Sequence, residues 1–236
     1  MLVEDKFIII LIPRCATTSF VTTCQNTGIQ TKNGKSDVGG YNKIINLTTK
    51  KYTHFHDDIS FLRKKFGNNY PIIAVKRNKY DSFLSLWKMI LSAMTVYYHK
   101  EDMVKKLSKL TIDDILFFDN QKYSLYNLDD IKNISKEFFE INKIDFYRPF
   151  MDFLVLLYTP QSWYHKFDES IIWFDFDELY KLEDWVSNQL GREFKLENIN
   201  SSKSIDSVIV NNEYYKNKLD SIYSKYEIIK ENKTMI

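Results

Sequence analysis

The stretch Phe7 to Phe20, FIIILIPRCATTSF, constrains this chain more than any other. A continuous, β-branched apolar run of this length reads as a strand buried on both faces, the kind found inside a parallel sheet. The segment after it is rich in hydroxyls and predicts a helix beginning near Ser19 or Phe20. A strand, a tight turn and a helix N-terminus together direct unpaired backbone N–H groups and a positive dipole end at one spot, which suits an anion. Arg14 adds a planar cation able to grip an oxyanion with two N–H groups, and Thr17 and Thr18 add hydroxyl donors.

Two common anion loops do not fit. The Walker spacing is approached only at Gly28 and Gly34-Lys35-Ser36, where it is one residue too long and follows polar Asn26-Thr27 rather than a strand. Residues 34–40 read instead as a polar loop. A phosphatase-type loop needs Arg six positions after its Cys, but Cys15 leads to Val21 and Cys24 to Gln30.

A second strand and helix follow the same plan. Pro71 to Lys76, PIIAVK, is a short apolar strand ending at Arg77, and Tyr80 to Met94 carries Phe83, Leu84, Trp87, Ile90, Leu91 and Met94 at helical spacing. Arg77 is therefore expected at the C-terminal end of a strand, where α/β sheets bind ligands, with Ser85 inside the next helix. Between the two lies Tyr52-Thr53-His54-Phe55-His56, read as a strand with both imidazoles on one face. Histidine titrates near neutrality and suits general-base work. His54-x-His56-x-Asp58 also partly matches a metallohydrolase ligand run, but Ile59 stands where the last His belongs.

Pro13-Arg14-Cys15-Ala16-Thr17-Thr18-Ser19-Phe20 resembles the 5′-phosphosulfate loop of sulfotransferases that use 3′-phosphoadenosine 5′-phosphosulfate (PAPS), and Ala16 in place of the commoner Gly resembles the uronyl 2-O-sulfotransferases. Val75 to Trp87 resembles the 3′-phosphate motif of that family, in which an Arg and a Ser eight positions on hold the phosphate; Arg77 and Ser85 have this spacing. The usual Asp-Pro after the Arg is Asn78-Lys79 here, a frequent second Arg is Ser82, and Lys76 or Lys79 is the candidate to restore that charge. The resemblance implies a P-loop-like α/β/α fold and a PAPS-binding set of Arg14, Cys15, Ala16, Thr17, Thr18, Ser19, Arg77 and Ser85. It makes His56 the catalytic base, with His54 assisting or binding the acceptor and Arg14 neutralising the leaving group. No metal is implied. Thr159-Pro160-Gln161-Ser162-Trp163 loosely resembles the Pro-Gln-x-x-Trp segment of the carbohydrate enzymes, and Ser201, Ser202 and Lys203 fall in a loop that approaches the nucleotide in relatives.

Ser170 to Phe176 reads as a third strand, followed by a helix from Asp177-Glu178-Leu179 to Leu190 closed by Gly191, and Asn212 to Glu231 as a terminal helix. Thr111 is a helix cap before Ile112, and Lys100, Lys105, Lys106 and Lys109 form a basic run read as a solvated face or a surface for an anionic acceptor, with Tyr97, Tyr98 and Tyr147 as sugar-stacking candidates.

At 236 residues with 44% hydrophobic and 16% aromatic content, one α/β domain over residues 1–236 is expected, with a helical insert at 95–150 and a parallel sheet of about 4–5 strands. A net charge of +2 gives no support to nucleic-acid binding. Two Cys build no disulfide framework, FIIILI is too short to span a bilayer, and Glu4-Asp5-Lys6 is not a signal n-region, so a soluble cytoplasmic enzyme of bacterial or viral origin is expected. The expected acceptor is a hydroxyl, a carbohydrate by the resemblance, with lipid, small alcohol and tyrosine left open by the residues; a kinase-like enzyme and an inactive nucleotide-binding protein are the alternatives. Oligomeric state is not legible.

Overall fold

The computed structural model describes residues 1–32, 57–119, 121–166, 168–197 and 207–224, and the backbone of 43–46 and 51–55. The chain divides into two compact units, one of residues 1–78, 161–201 and 229–236, the other of 79–160 and 202–228.

The first unit is built on a five-stranded sheet in the order β3-β1-β2-β6-β7, where β1 is Leu2–Val3, β2 Phe7–Ile10, β3 Thr31–Lys32, β6 Ile72–Lys76 and β7 Ile171–Asp175. A separate antiparallel pair is formed by β4 (Lys43–Asn46) and β5 (Lys51–Phe55). The sheet is mixed rather than wholly parallel. β2, β6 and β7 run parallel, in register Ile10 with Ala74 and Ala74 with Trp173, while β1 pairs antiparallel with both β2 and β3. The parallel strands are those whose sequences are continuous apolar runs. Phe7 to Ile10 are 0–3% exposed and Ile72 to Val75 likewise, as strands covered on both faces require.

The helices of this unit are α1 (Thr17–Asn26), α2 (Ile59–Phe66), α8 (Gln161–His165) and α9 (Leu179–Leu190). Asp58 caps α2 through the Phe61 N–H at 2.9 Å. α9 follows a 3₁₀ turn at Phe176–Glu178 and stops at Gly191, whose left-handed φ of 70° closes the helix. Lys6 Nζ caps its carboxyl end, donating to the carbonyls of Gln189 (2.8 Å) and Leu190 (3.2 Å), which suits the negative end of the dipole. Leu182, Val186 and Leu190 recur on one face of α9 and are buried in the sheet's core together with Phe194. Phe7 meets Trp185 edge-on at 5.1 Å.

The second unit is helical: α3 (Lys79–Val96), α4 (Glu101–Leu107), α5 (Ile112–Ile115), α6 (Leu128–Ile141), α7 (Arg148–Tyr158) and α10 (Glu213–Tyr223). Thr111 and Asp114 form a reciprocal capping box on α5, and Asn212 caps α10. Trp87, Ile90, Leu91, Phe138, Phe150, Leu154 and Tyr158 are fully buried, and the Tyr158 hydroxyl donates to the Ile115 carbonyl at 2.9 Å. No helix among the described residues is long and apolar enough to cross a membrane.

Candidate anion site at the strand ends

The adjacent parallel strands β2 and β6 release their chains at one edge of the sheet, and this brings Arg14 and Arg77 together. The Arg77 Nη1 donates to the Arg14 carbonyl at 3.2 Å, across 63 residues of sequence. The loop between β2 and α1 is held by the Ile12 carbonyl, which accepts the Thr17 hydroxyl at 2.6 Å and the Cys15 N–H at 3.2 Å. Arg14 and Ala16 both adopt left-handed backbone, φ 63° and 57°, with Cys15 between them outside that region. Such alternation turns successive N–H groups inward to form a concave anion cradle. Non-glycine residues there carry strain, and strain of this kind gathers at binding sites.

Helix α1 begins two residues earlier than expected, at Thr17. Its N-cap is Ala16, which has no side-chain oxygen, so no side chain caps the helix. The Thr17 hydroxyl, at the first helical position, donates backward to the Ile12 carbonyl. The first intrahelical bond is Phe20 N–H to Ala16 carbonyl at 2.9 Å. The N–H groups ahead of it have no intrahelical acceptor, and the positive end of the dipole adds to them. Thr18 and Ser19 are half-buried beside these amides, whereas Thr17 is buried.

Electrostatics sharpen the site. Burial, and then the neighbouring Arg77, pull the Arg14 guanidinium down to about 10. A charge that is costly to hold in this place is one that an anion would relieve. The Cys15 thiol is buried and pushed up to about 12, so it sits in the loop as a neutral group and not as a thiolate nucleophile. Arg77 stacks its guanidinium on the Phe176 ring, 4.2 Å from the centroid. Its carbonyl accepts the Gln161 side-chain amide at 3.2 Å.

The remaining sequence candidates fall elsewhere. Ser85 is half-buried in α3 of the second unit. His54 is in β5, opposite Ile44. His56, Lys203, Ser201, Ser202 and the polar loop at 34–40 lie outside the described residues. The two lysines proposed to restore charge beside Arg77 are both engaged with carboxylates, Lys76 with Asp175 at 3.4 Å and Lys79 with Asp220 at 2.5 Å. Among the described residues no group of three or more His, Cys, Asp or Glu is gathered as a metal shell.

Phe176 is no site residue in the sequence reading, and Gln161 enters it only through the loose resemblance of Thr159 to Trp163. The signal was present. Phe176 directly follows β7, the third parallel strand to end at this edge, and the carboxyl ends of parallel strands are where such sheets bind ligands. Comparison of the chain with protein-family models, with curated proteins and with solved structures returns no match in any of the three.

Proposed function

We propose that this chain is a soluble, cytoplasmic, PAPS-dependent sulfotransferase of P-loop-like α/β/α fold, acting on a hydroxyl acceptor, a glycan by its resemblance. One observation carries the reading: the two arginines of the two motifs, remote in sequence, meet at an uncapped helix N-terminus at the carboxyl edge of parallel strands. The amides of Ala16 to Ser19, the Thr18 and Ser19 hydroxyls and Arg14 take the 5′-phosphosulfate. Arg77 keeps one N–H on the Arg14 carbonyl and has four further donors for phosphate oxygens.

In the reaction the acceptor oxygen attacks sulfur in line as the bond from sulfur to the bridging phosphate oxygen breaks. Adenosine 3′,5′-bisphosphate leaves. His56 takes the acceptor's proton, with His54 assisting, and Arg14 meets the charge that develops on the bridging oxygen. A guanidinium already burdened by burial and a like charge is suited to this, because the interaction strengthens as negative charge accumulates.

The test is calorimetric titration with adenosine 3′,5′-bisphosphate, ATP and AMP. Selective micromolar binding of the bisphosphate, weakened about tenfold or more in Arg77→Ala, is the expected result, since a charge-assisted hydrogen bond contributes about 1.5–3 kcal/mol. A preference for ATP would replace this reading with the kinase-like one. Selective binding without transfer to any hydroxyl acceptor would leave a nucleotide-binding protein.

A further inference from the structure

The place of Arg77 needs explaining. It is half-buried, its guanidinium is close enough to Arg14 to lower that group's proton affinity, and yet it does not turn away into water. Two like charges in a partly dry setting repel, and an arginine on a long, flexible stem would relieve that repulsion by swinging outward. The main chain that carries Arg14 is tied at the Ile12 carbonyl.

Two contacts oppose the swing, and both come from chain that arrives much later in the sequence. The Phe176 ring lies under the guanidinium at 4.2 Å, offering the negative face of its quadrupole. The ring is itself held, half-buried and packed against the sheet's apolar core, by the 3₁₀ turn after β7. The Gln161 amide, from the start of α8, pins the Arg77 main chain through its carbonyl at 3.2 Å. The same short helix carries Tyr164, which is buried and lies near Cys15 of the anion loop. One contact therefore holds the head of Arg77 and the other holds its backbone, and neither group is an anion donor of the kind that the two motifs supply.

From this we infer that Phe176 is a positioning residue: its ring keeps the Arg77 guanidinium against Arg14, so that both cations address one anion, while Gln161 sets the main chain from which Arg77 reaches. The effect on nucleotide affinity rests on the reading given above; the stacking itself does not. Aromatic character, rather than mere bulk, is the property required. Leucine at this position would keep the apolar contact with the core and lose the π face, whereas tryptophan or tyrosine would keep the face.

The experiment measures the reactivity of Arg77 in the full chain, with phenylglyoxal as probe and peptide mass mapping as readout. Wild type, Phe176→Leu, Phe176→Trp and Phe176→Tyr are compared, with Arg148 of the second unit as the internal reference. Arg77 is expected to react at least about threefold faster in Phe176→Leu, because a cation–π contact of this kind corresponds to a factor of that order or larger. In the aromatic variants it should stay within about twofold of wild type, and Arg148 should not change. Equal Arg77 rates in wild type and Phe176→Leu, or equal gains in the leucine and aromatic variants, would overturn the inference. The Tyr variant preserves the ring most closely and keeps the test open if Trp disturbs packing. Titration of the same proteins with adenosine 3′,5′-bisphosphate is a separate arm. If wild type fails to bind the nucleotide, the sulfotransferase reading falls while the labelling result still decides the role of Phe176. If wild type binds, an affinity loss of about threefold to tenfold in Phe176→Leu, restored in Phe176→Tyr, is expected.

Discussion

Arg14→Met should make this protein more stable while abolishing the anion binding proposed above. At pH 7 the Arg14 guanidinium is fully charged, because burial and Arg77 bring it down only to about 10. A fall of that size corresponds to on the order of 3 kcal/mol against the charged form in the folded state. The sign follows from linkage. A base whose affinity for its proton is lowered by folding carries the whole penalty below its folded value and is relieved of it only as pH rises through that value. Methionine keeps an unbranched apolar stem and removes the charge. It meets the same left-handed backbone as arginine, so that strain cancels. Loss of the guanidinium's own polar contacts offsets on the order of 1–2 kcal/mol. A net gain of about 1–2 kcal/mol remains, which for a chain of this size is a rise in Tm of roughly 2–8 °C. The assay is thermal unfolding followed by circular dichroism in low-salt chloride, repeated with sulfate at matched ionic strength. Wild type should gain from sulfate and the variant should not. A variant that melts at or below wild type in chloride would refute the claim that the charge at Arg14 is a burden that the anion relieves.

Thr17→Val, nearly isosteric and at a buried position, removes the hydroxyl bond to Ile12 and should cost about 1 kcal/mol in thermal unfolding, with weaker anion binding as the loop loosens. His165, packed edge-on to Trp173 at 4.9 Å, is pushed down to about 4 by burial, so it is neutral when folded and charged when unfolded over the interval above that value. Stability should therefore fall as pH drops from about 6.5 toward 4, by on the order of 1.4 kcal/mol per pH unit, and His165→Phe should flatten that slope in melts across the same interval. Asn212→Ala removes the cap on the Tyr215 N–H at 2.9 Å and should cost about 1 kcal/mol, read as faster hydrogen exchange confined to α10.

The parts of the fold that were legible in the sequence are those where one physical demand dominates. β2 and β6 announced themselves because strands covered on both faces require unbroken apolar runs, whereas β7, with Ile172 exposed, was legible from its β-branched and aromatic residues alone. The stop at Gly191 and the cap at Thr111 announced themselves because helix ends leave backbone groups to satisfy. The antiparallel edge was not legible. Leu2–Val3 and Thr31–Lys32 are two residues each, too short for any periodicity, and their pairing makes the sheet mixed. The start of α1 at Thr17 departs from the local pattern for a related reason. The hydroxyls of Thr17 to Ser19 look like caps, but Thr17 bonds backward and the cap position falls to an alanine in left-handed backbone. The boundary between the two units carries no mark at Asn78-Lys79, where strand gives way to helix without glycine or proline. The arginines of the candidate site were read from the sequence as anion binders. Their meeting, and the ring beneath Arg77, depend on pairing between strands far apart in the chain, which no local pattern encodes.

The bond from Gln161 to Arg77 joins residues 84 positions apart, and between them the chain leaves the first unit and returns to it. The point of departure and the point of return are thus fastened to each other. Because the entropy of closing such a detour grows only with the logarithm of its length, lengthening or shortening the excursion changes the cost of that closure by little. The sheet and its anion loop can then tolerate wide changes in what is carried between residues 79 and 160, provided that Gln161 still reaches Arg77.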